Sequence, residues 1–122
     1  MYDDKTLKEL KRLNFEDFLW IIFAVLCLIN VYGDYEEKEY LKSNNKIFKN
    51  KSNYIFELTL IVTFFIYVYF FLRNYSFYKK ASNQDKQLYS IKILGSSFLI
   101  AGIICLIYFQ KEQTSFVGSP AL

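Results

Sequence analysis

Five polar side chains lie within, or at the edge of, the long apolar stretches of this sequence: Asn30, Asp34, Glu57, Tyr67 and Tyr69. Asn30 and Asp34 are four residues apart, so a helix would place them on one face, where they could bind a cation or a partner helix. Glu57 is the ionisable residue of most interest, and a buried tyrosine hydroxyl needs a hydrogen-bond partner. These five residues are the polar candidates within or at the edge of the spans. For Asn30 and Asp34 the simpler alternative is that they only mark the boundary between two helices.

The residue types that usually carry catalysis are scarce. The chain contains no histidine, which excludes imidazole bases, histidine-ligated metals and most catalytic triads. Its two cysteines, Cys27 and Cys105, lie in apolar stretches, and no glycine-rich phosphate-binding motif occurs. The net charge is only +3, and the aromatic residues lie in the apolar stretches, which argues against nucleic-acid binding. We therefore expect no enzyme activity, no catalytic residue, no cofactor or metal, and no nucleic-acid partner.

The apolar residues are collected into three segments without charge, residues 18–33, 58–72 and 93–110. With snorkelling residues at each end, every segment reaches the roughly 20 residues that cross a hydrocarbon core of about 30 Å. The segments are apolar on all sides, whereas a helix of a soluble bundle has one apolar stripe. We expect an all-α integral membrane protein, a single membrane domain over residues 1–122, with three transmembrane helices at about 15–32, 54–72 and 91–110.

Helix-capping signals before the first span predict a short helix on the membrane surface. Thr6 and Glu9 have the spacing of a capping box, which predicts a helix over residues 7–13. Asn14 is then expected to cap the span itself. Glu16 follows in the first turn, where the positive end of the helix dipole favours a carboxylate. This interpretation makes Glu16 a start signal for the span.

The charged sequence after the first span predicts a second interfacial helix. Carboxylates are unfavourable at a helix C-terminus, so one helix ending in Gly-Asp-Tyr-Glu-Glu is not expected. Gly33 is instead predicted to end span one, and Asp34 to cap a short helix over about residues 35–42. Residues 43–52 are polar and rich in turn formers, which predicts a loop. Within span two, Thr63 is expected to bond to the backbone of its own helix.

Small residues recur at helical spacing in span three. Ser97, Ala101 and Cys105 are four residues apart, and Gly95 and Gly102 are seven apart. Small side chains let two helices approach closely, and in lipid this packing is a main source of association energy. We therefore expect another helix to pack here. Span one of the same chain is the preferred neighbour, and a different membrane protein or a second copy of this chain is the alternative.

The basic residues predict how the chain is oriented in the membrane. Three spans place the termini on opposite faces, with nine Lys/Arg on the face of the N-terminus and six on the other. The positive-inside tendency therefore puts the N-terminus in the cytoplasm and the C-terminus outside. The mildly apolar tail, residues 113–122, is expected to be disordered, to fold back on the membrane surface or to insert into a partner.

Two functional hypotheses follow from these patterns. The preferred one is a non-enzymatic accessory or interaction protein that associates with membrane lipid or with a larger membrane protein through span three. The alternative is an oligomeric pore, small transporter or holin-like protein lined by the five polar residues, because three helices alone cannot enclose a water-filled path. Both hypotheses place the chain in a membrane as a multi-pass protein.

Overall fold

The computed structural model describes residues 2–122 and consists of three long helices joined by very short loops. Helix α1 spans Asp4–Ser43, α2 spans Lys46–Lys80 and α3 spans Asn83–Glu112, and this part of the chain contains no strand. Each helix is long and apolar enough to cross a membrane, judged by length and composition. The prediction of an all-α chain with three such helices is confirmed, and it indicates a multi-pass membrane protein.

Helix α2 lies in the middle of the molecule. It packs against α1 on one side and against α3 on the other, whereas no Cα atom of α1 lies within 8 Å of a Cα atom of α3. The buried apolar residues are accordingly few and centred on α2: Leu26, Ile55, Phe56, Leu60, Ile66 and Ile103. Most other large apolar side chains point outward, as expected for helices surrounded by lipid.

The predicted interfacial helices are not separate elements. Residues 7–13 and 35–42 both belong to α1, which continues without interruption through Asn14, Gly33 and Asp34. The helix begins earlier than the capping box suggests, because the Asp3 carboxylate caps it and accepts a hydrogen bond of 2.7 Å from the Thr6 amide. Hydrogen bonding by the Thr6 side chain, and secondarily by its amide, lowers the pKa of Asp3 below its usual value.

Gly33 permits close helix packing and does not end α1. A Cβ atom built on Gly33 would lie 2.5 Å from Cε1 of Phe56, which is only 1% exposed. The absence of a side chain at this position therefore lets α2 approach α1. The prediction of a helix break at Gly33 and Asp34 is wrong because the unfavourable carboxylates that follow are paired with lysines of α2, as described below.

Two asparagines make the turn between α1 and α2. Asn44 adopts the left-handed conformation, with φ of 58°, and its amide donates to the Tyr40 carbonyl oxygen at 2.7 Å. Asn45 caps α2 by accepting from the Ile47 amide at 3.0 Å. The predicted loop at 43–52 is therefore largely helical. Within α2, Thr63 donates to the Thr59 carbonyl oxygen at 2.7 Å, as predicted.

Candidate functional site

Glu16 is the centre of a polar cluster at one end of the helices, which we call the Glu16 cluster (Arg12, Glu16, Tyr69 and Arg73). One oxygen of the Glu16 carboxylate accepts from Arg12 at 2.9 Å and from the Tyr69 hydroxyl at 3.1 Å. Its other oxygen accepts from Arg73 at 2.9 Å. Glu16 is only 4% exposed. A buried carboxylate is stable here because two guanidinium groups neutralise it and three donors satisfy its oxygens.

The two arginines of the Glu16 cluster have further partners. Arg73 donates through Nε and Nη2 to Asn74, whose amide nitrogen in turn donates to Ser96 of α3 at 2.6 Å. Arg12 donates to Glu9 at 2.7 Å. This bond lowers the pKa of the Glu9 carboxyl, and the charges of nearby lysines act in the same direction. The cluster therefore joins α1 to α2, and Asn74 of α2 extends the hydrogen-bond network to α3.

The sequence interpretation missed the Glu16 cluster. It treated Glu16 as a helix start signal, whereas the residue lies well inside α1 and is bonded to Arg12 one turn earlier. The pair of Glu16 and Arg73 could have been found from topology. Consecutive spans are antiparallel, so the beginning of span one and the end of span two lie at the same membrane face. Glu16 and Arg73, at those two positions, then lie at the same depth.

A second polar cluster lies at the opposite end, and we call it the Glu37 cluster (Glu37, Lys49, Ser52 and the backbone of residues 116–118). The Lys49 ammonium lies 2.6 Å from one Glu37 oxygen, and the two residues are 4% and 2% exposed. Lys49 also donates to the Phe116 carbonyl oxygen, and the Gly118 amide donates to Glu37. The buried ion pair therefore holds the C-terminal tail.

The tail after α3 is packed against the other helices. The Ser119 hydroxyl donates to the Asn30 side chain at 3.0 Å, and the Gln113 side chain donates to Asn53 at 3.2 Å. Pro120 is buried. Of the three expectations for residues 113–122, disorder is not what the structure shows: these residues fold back and cover the Glu37 cluster.

Glu36 forms a separate ion pair beside the Glu37 cluster. Its carboxylate lies 3.3 Å from the Lys51 ammonium, and Glu36 itself is only 4% exposed. Hydrogen bonds to Tyr32 and to Glu36 raise the pKa of Lys51, which lies outside the predicted spans. Together, Lys49 and Lys51 of α2 compensate the two carboxylates near the C-terminus of α1, where the helix dipole alone would disfavour them.

The five polar residues predicted from the sequence lie in different surroundings, and Tyr67 lines a groove that is described below. Tyr69 belongs to the Glu16 cluster, and Asn30 bonds to the tail and to Thr59. Asp34 lines a small cavity beside residues 117–118, and Glu57 lines another one with Tyr54, Leu58 and Ile61. Within residues 2–122, neither Asp34 nor Glu57 has a hydrogen-bond or ion-pair partner. The predicted pairing of Asn30 with Asp34 is therefore not a direct contact.

The small residues predicted for helix packing lie largely on the outside of α3. Gly95, Ala101, Gly102 and Cys105 are exposed, and Ser97 is half-buried and bonds to its own helix. A Cβ atom added to Gly95 or Gly102 would meet nothing within 4 Å. Helix α3 instead contacts α2 through a buried row formed by Ser96, Ile103 and Gln110. The expected contact with span one is thus not made within the chain.

An apolar groove runs between α1 and α3, with α2 as its floor. This groove, the α1–α3 groove, has a volume of about 370 Å³ and is lined at one end by Arg73, Asn74 and Ser96. Its walls are apolar: Trp20, Phe23, Ile66, Tyr67, Phe70 and Leu99. The groove exists because α1 and α3 pack on α2 without closing on each other.

The described residues hold no cluster of three or more His, Cys, Asp or Glu side chains that could bind a metal ion. Cys27 and Cys105 are both exposed free thiols on α1 and α3. The chain matches no protein-family model, and no curated protein or solved structure is significantly similar to it. Its function must therefore be argued from its own geometry.

Proposed function

We propose that this chain is a non-enzymatic interaction protein of a membrane, which associates with a larger membrane protein through the outward face of α3. The observation that carries the proposal is that α3 packs against α2 with one face only. Ala101, Gly102 and Cys105 lie outside that contact and are exposed. Small side chains on an uncovered helix in lipid allow a partner helix to approach closely, which is where packing energy is gained.

The ion pairs of the chain support an interaction role over a catalytic one. Glu16, Glu36 and Glu37 are engaged by cations of the same chain, so they are held in fixed positions and serve to join the helices. A three-helix unit whose buried carboxylates are paired internally presents a mainly apolar outer surface between its two polar ends. Such a surface is suited to association within the bilayer.

The first experiment is to extract the protein from its native membranes in mild detergent and to measure the mass and composition of the complex. We expect a stable complex with a different, larger membrane protein. Ala101→Leu and Gly102→Leu should each disrupt that complex, because both add bulk to the proposed contact. The matched control for Ala101→Leu is Ala24→Leu, the same substitution at an exposed position of α1. A monomeric protein, or a complex that tolerates the α3 variants, would contradict the proposal.

The alternative function is an oligomeric pore or small transporter, including a holin-like protein. The observation that favours it is that Glu57, a carboxylate in the membrane-spanning region of α2, is only half-buried and has no polar partner within residues 2–122. An oligomer would bring several copies of Glu57 together around a path. A homo-oligomer in the extraction experiment, with ion conductance that Glu57→Gln alters, would replace the accessory role by this one.

A further inference from the structure

The α1–α3 groove adjoins a second cavity at Arg73, which we call the basic pocket. This second cavity, of about 530 Å³, lies between α1 and α2 and shares one lining residue with the groove, Arg73. Along α2, Arg73 is seven residues from Ile66, so the groove extends about 10 Å from the level of Arg73 toward the middle of the span. The two cavities therefore adjoin at Arg73, and the groove is mainly apolar whereas the second cavity is lined by charged residues.

The basic pocket keeps an excess of positive charge. Four cations and two carboxylates line it or bond to its lining: Lys8, Arg12, Arg73, Lys80, Glu9 and Glu16. Both arginines contact Glu16, but Lys8 and Lys80 are exposed and have no ion-pair partner within the described residues. Two positive charges thus remain uncompensated in the basic pocket, where they favour an anion.

The arginines also retain donors that the protein does not satisfy. Nε of Arg12 is buried and has no hydrogen-bond partner within residues 2–122. The Arg73 guanidinium uses one hydrogen of Nη1 for Glu16 and one of Nη2 for Asn74, which leaves the second hydrogen on each nitrogen free. Guanidinium groups with unused donors are well suited to phosphate oxygens.

We propose that the α1–α3 groove and the basic pocket together bind one anionic phospholipid, with an acyl chain along the groove and the phosphate between the lysines and arginines. Charge complementarity selects an anionic headgroup, and the apolar walls select a lipid over a soluble anion. The predicted orientation places this site in the cytoplasmic leaflet, which is the leaflet that carries anionic lipid. This inference goes beyond the interaction role of α3 and does not depend on it.

The test uses Trp20, which is the only tryptophan of the chain and lines the groove. The full chain is reconstituted in phosphatidylcholine vesicles, and part of the lipid is replaced by brominated phosphatidylglycerol or by brominated phosphatidylcholine, which quench tryptophan on contact. Trp20 is 59% exposed, so both lipids will quench it eventually. The readout is therefore the mole fraction that gives half-maximal quenching. We expect this fraction to be at least about fivefold lower for phosphatidylglycerol, since one basic residue near the surface contributes about that factor.

The matched variants are two double substitutions that remove the same charge from opposite ends of the molecule. Lys8→Gln with Lys80→Gln should bring the phosphatidylglycerol curve close to the phosphatidylcholine curve. Lys38→Gln with Lys42→Gln, at exposed positions near the other end of α1, should leave the difference intact. Equal curves for the two lipids in the unaltered protein would overturn the proposal, as would equal losses in both variants.

A further arm separates a phospholipid from a free phosphate. Inorganic phosphate is added at millimolar concentration, at constant ionic strength, to vesicles that contain brominated phosphatidylglycerol. We expect no change in the mole fraction that gives half-maximal quenching, because the acyl chain holds the lipid in the groove. Loss of the phosphatidylglycerol preference would mean that the pocket binds the phosphate group alone, and the assignment to a lipid would be wrong.

Discussion

The buried carboxylates of this protein all contact cations from a different helix. Glu16 of α1 contacts Arg73, Glu37 contacts Lys49, and Glu36 contacts Lys51. A buried ion pair gains little over a well-packed apolar pair, but removing one partner leaves an uncompensated charge in a poorly solvated place. At the scale of single residues, these pairs therefore fix which helices lie side by side and at what depth.

The Glu16 cluster gives the sharpest prediction at this scale. Glu16→Gln leaves Arg12 and Arg73 without their shared counter-charge, so we expect it to lower the free energy of unfolding by about 3 kcal/mol. Unfolding of the detergent-solubilised protein by added dodecyl sulfate measures this change. Asp17→Asn is the control, because Asp17 is the exposed neighbour, and we expect an effect of less than about 0.5 kcal/mol. Equal effects would show that the Glu16 contacts contribute no stability.

At the scale of helices, the sequence was sufficient to predict three long apolar helices but not their contacts. Local capping patterns suggested breaks near Asn14 and Gly33, yet α1 runs through both. The reason lies in α2: Phe56 packs against Gly33, and Lys49 and Lys51 pair with Glu37 and Glu36. The sequence pattern of one helix does not reveal which residues of another helix will pair with its charges or pack against it.

The candidate site was predictable to the same limited extent. Tyr69 was chosen because a buried hydroxyl needs a partner, and the structure supplies one in Glu16. Glu37 and Lys49, in contrast, were assigned to a short interfacial helix and to a loop. Their burial depends on the tail, which reaches them across more than sixty positions of sequence from Lys49 to Phe116. No spacing rule predicts a contact of that range.

Gly33 provides the prediction that belongs to helix packing. Gly33→Ala should lower the free energy of unfolding by about 1 to 3 kcal/mol, because the added methyl group must displace the buried Phe56 ring. Gly95→Ala is the matched control, since nothing lies near that position, and the better helix propensity of alanine should stabilise α3 by up to about 1 kcal/mol. Both changes are measured by unfolding in detergent.

A double-mutant cycle tests the cause of the Gly33 effect. Phe56→Leu should cost less free energy in the Gly33→Ala background than in the unaltered protein, because the smaller side chain makes room for the methyl group. If the losses in free energy of unfolding of the two single variants simply add, the methyl group of the alanine does not act through Phe56.

At the scale of the whole molecule, the two polar clusters mark two levels. Glu16 and Glu37 are 21 positions apart on α1, which corresponds to about 32 Å of helix, and Lys49 and Arg73 are about 36 Å apart on α2. A typical hydrocarbon core is about 30 Å thick. The distance between the two clusters along each helix thus matches the thickness of one hydrocarbon core, and each cluster ties α1 to α2 at its own end of the molecule.

This spacing predicts that stability depends on bilayer thickness. In phosphatidylcholines of increasing chain length, the thermal unfolding midpoint should be highest when the hydrocarbon core is about 30 Å thick. In thicker bilayers it should fall, because both clusters would be drawn into lipid. The expected cost is a fraction of a kcal/mol per Å of mismatch.

Glu57 lies about 12 Å from Lys49 along α2, inside the core, so greater thickness also buries its carboxylate more deeply. Glu57→Gln should therefore reduce the loss in thick bilayers and leave the behaviour in thin ones unchanged. A midpoint that is independent of thickness would contradict the placement of both clusters at the membrane boundaries.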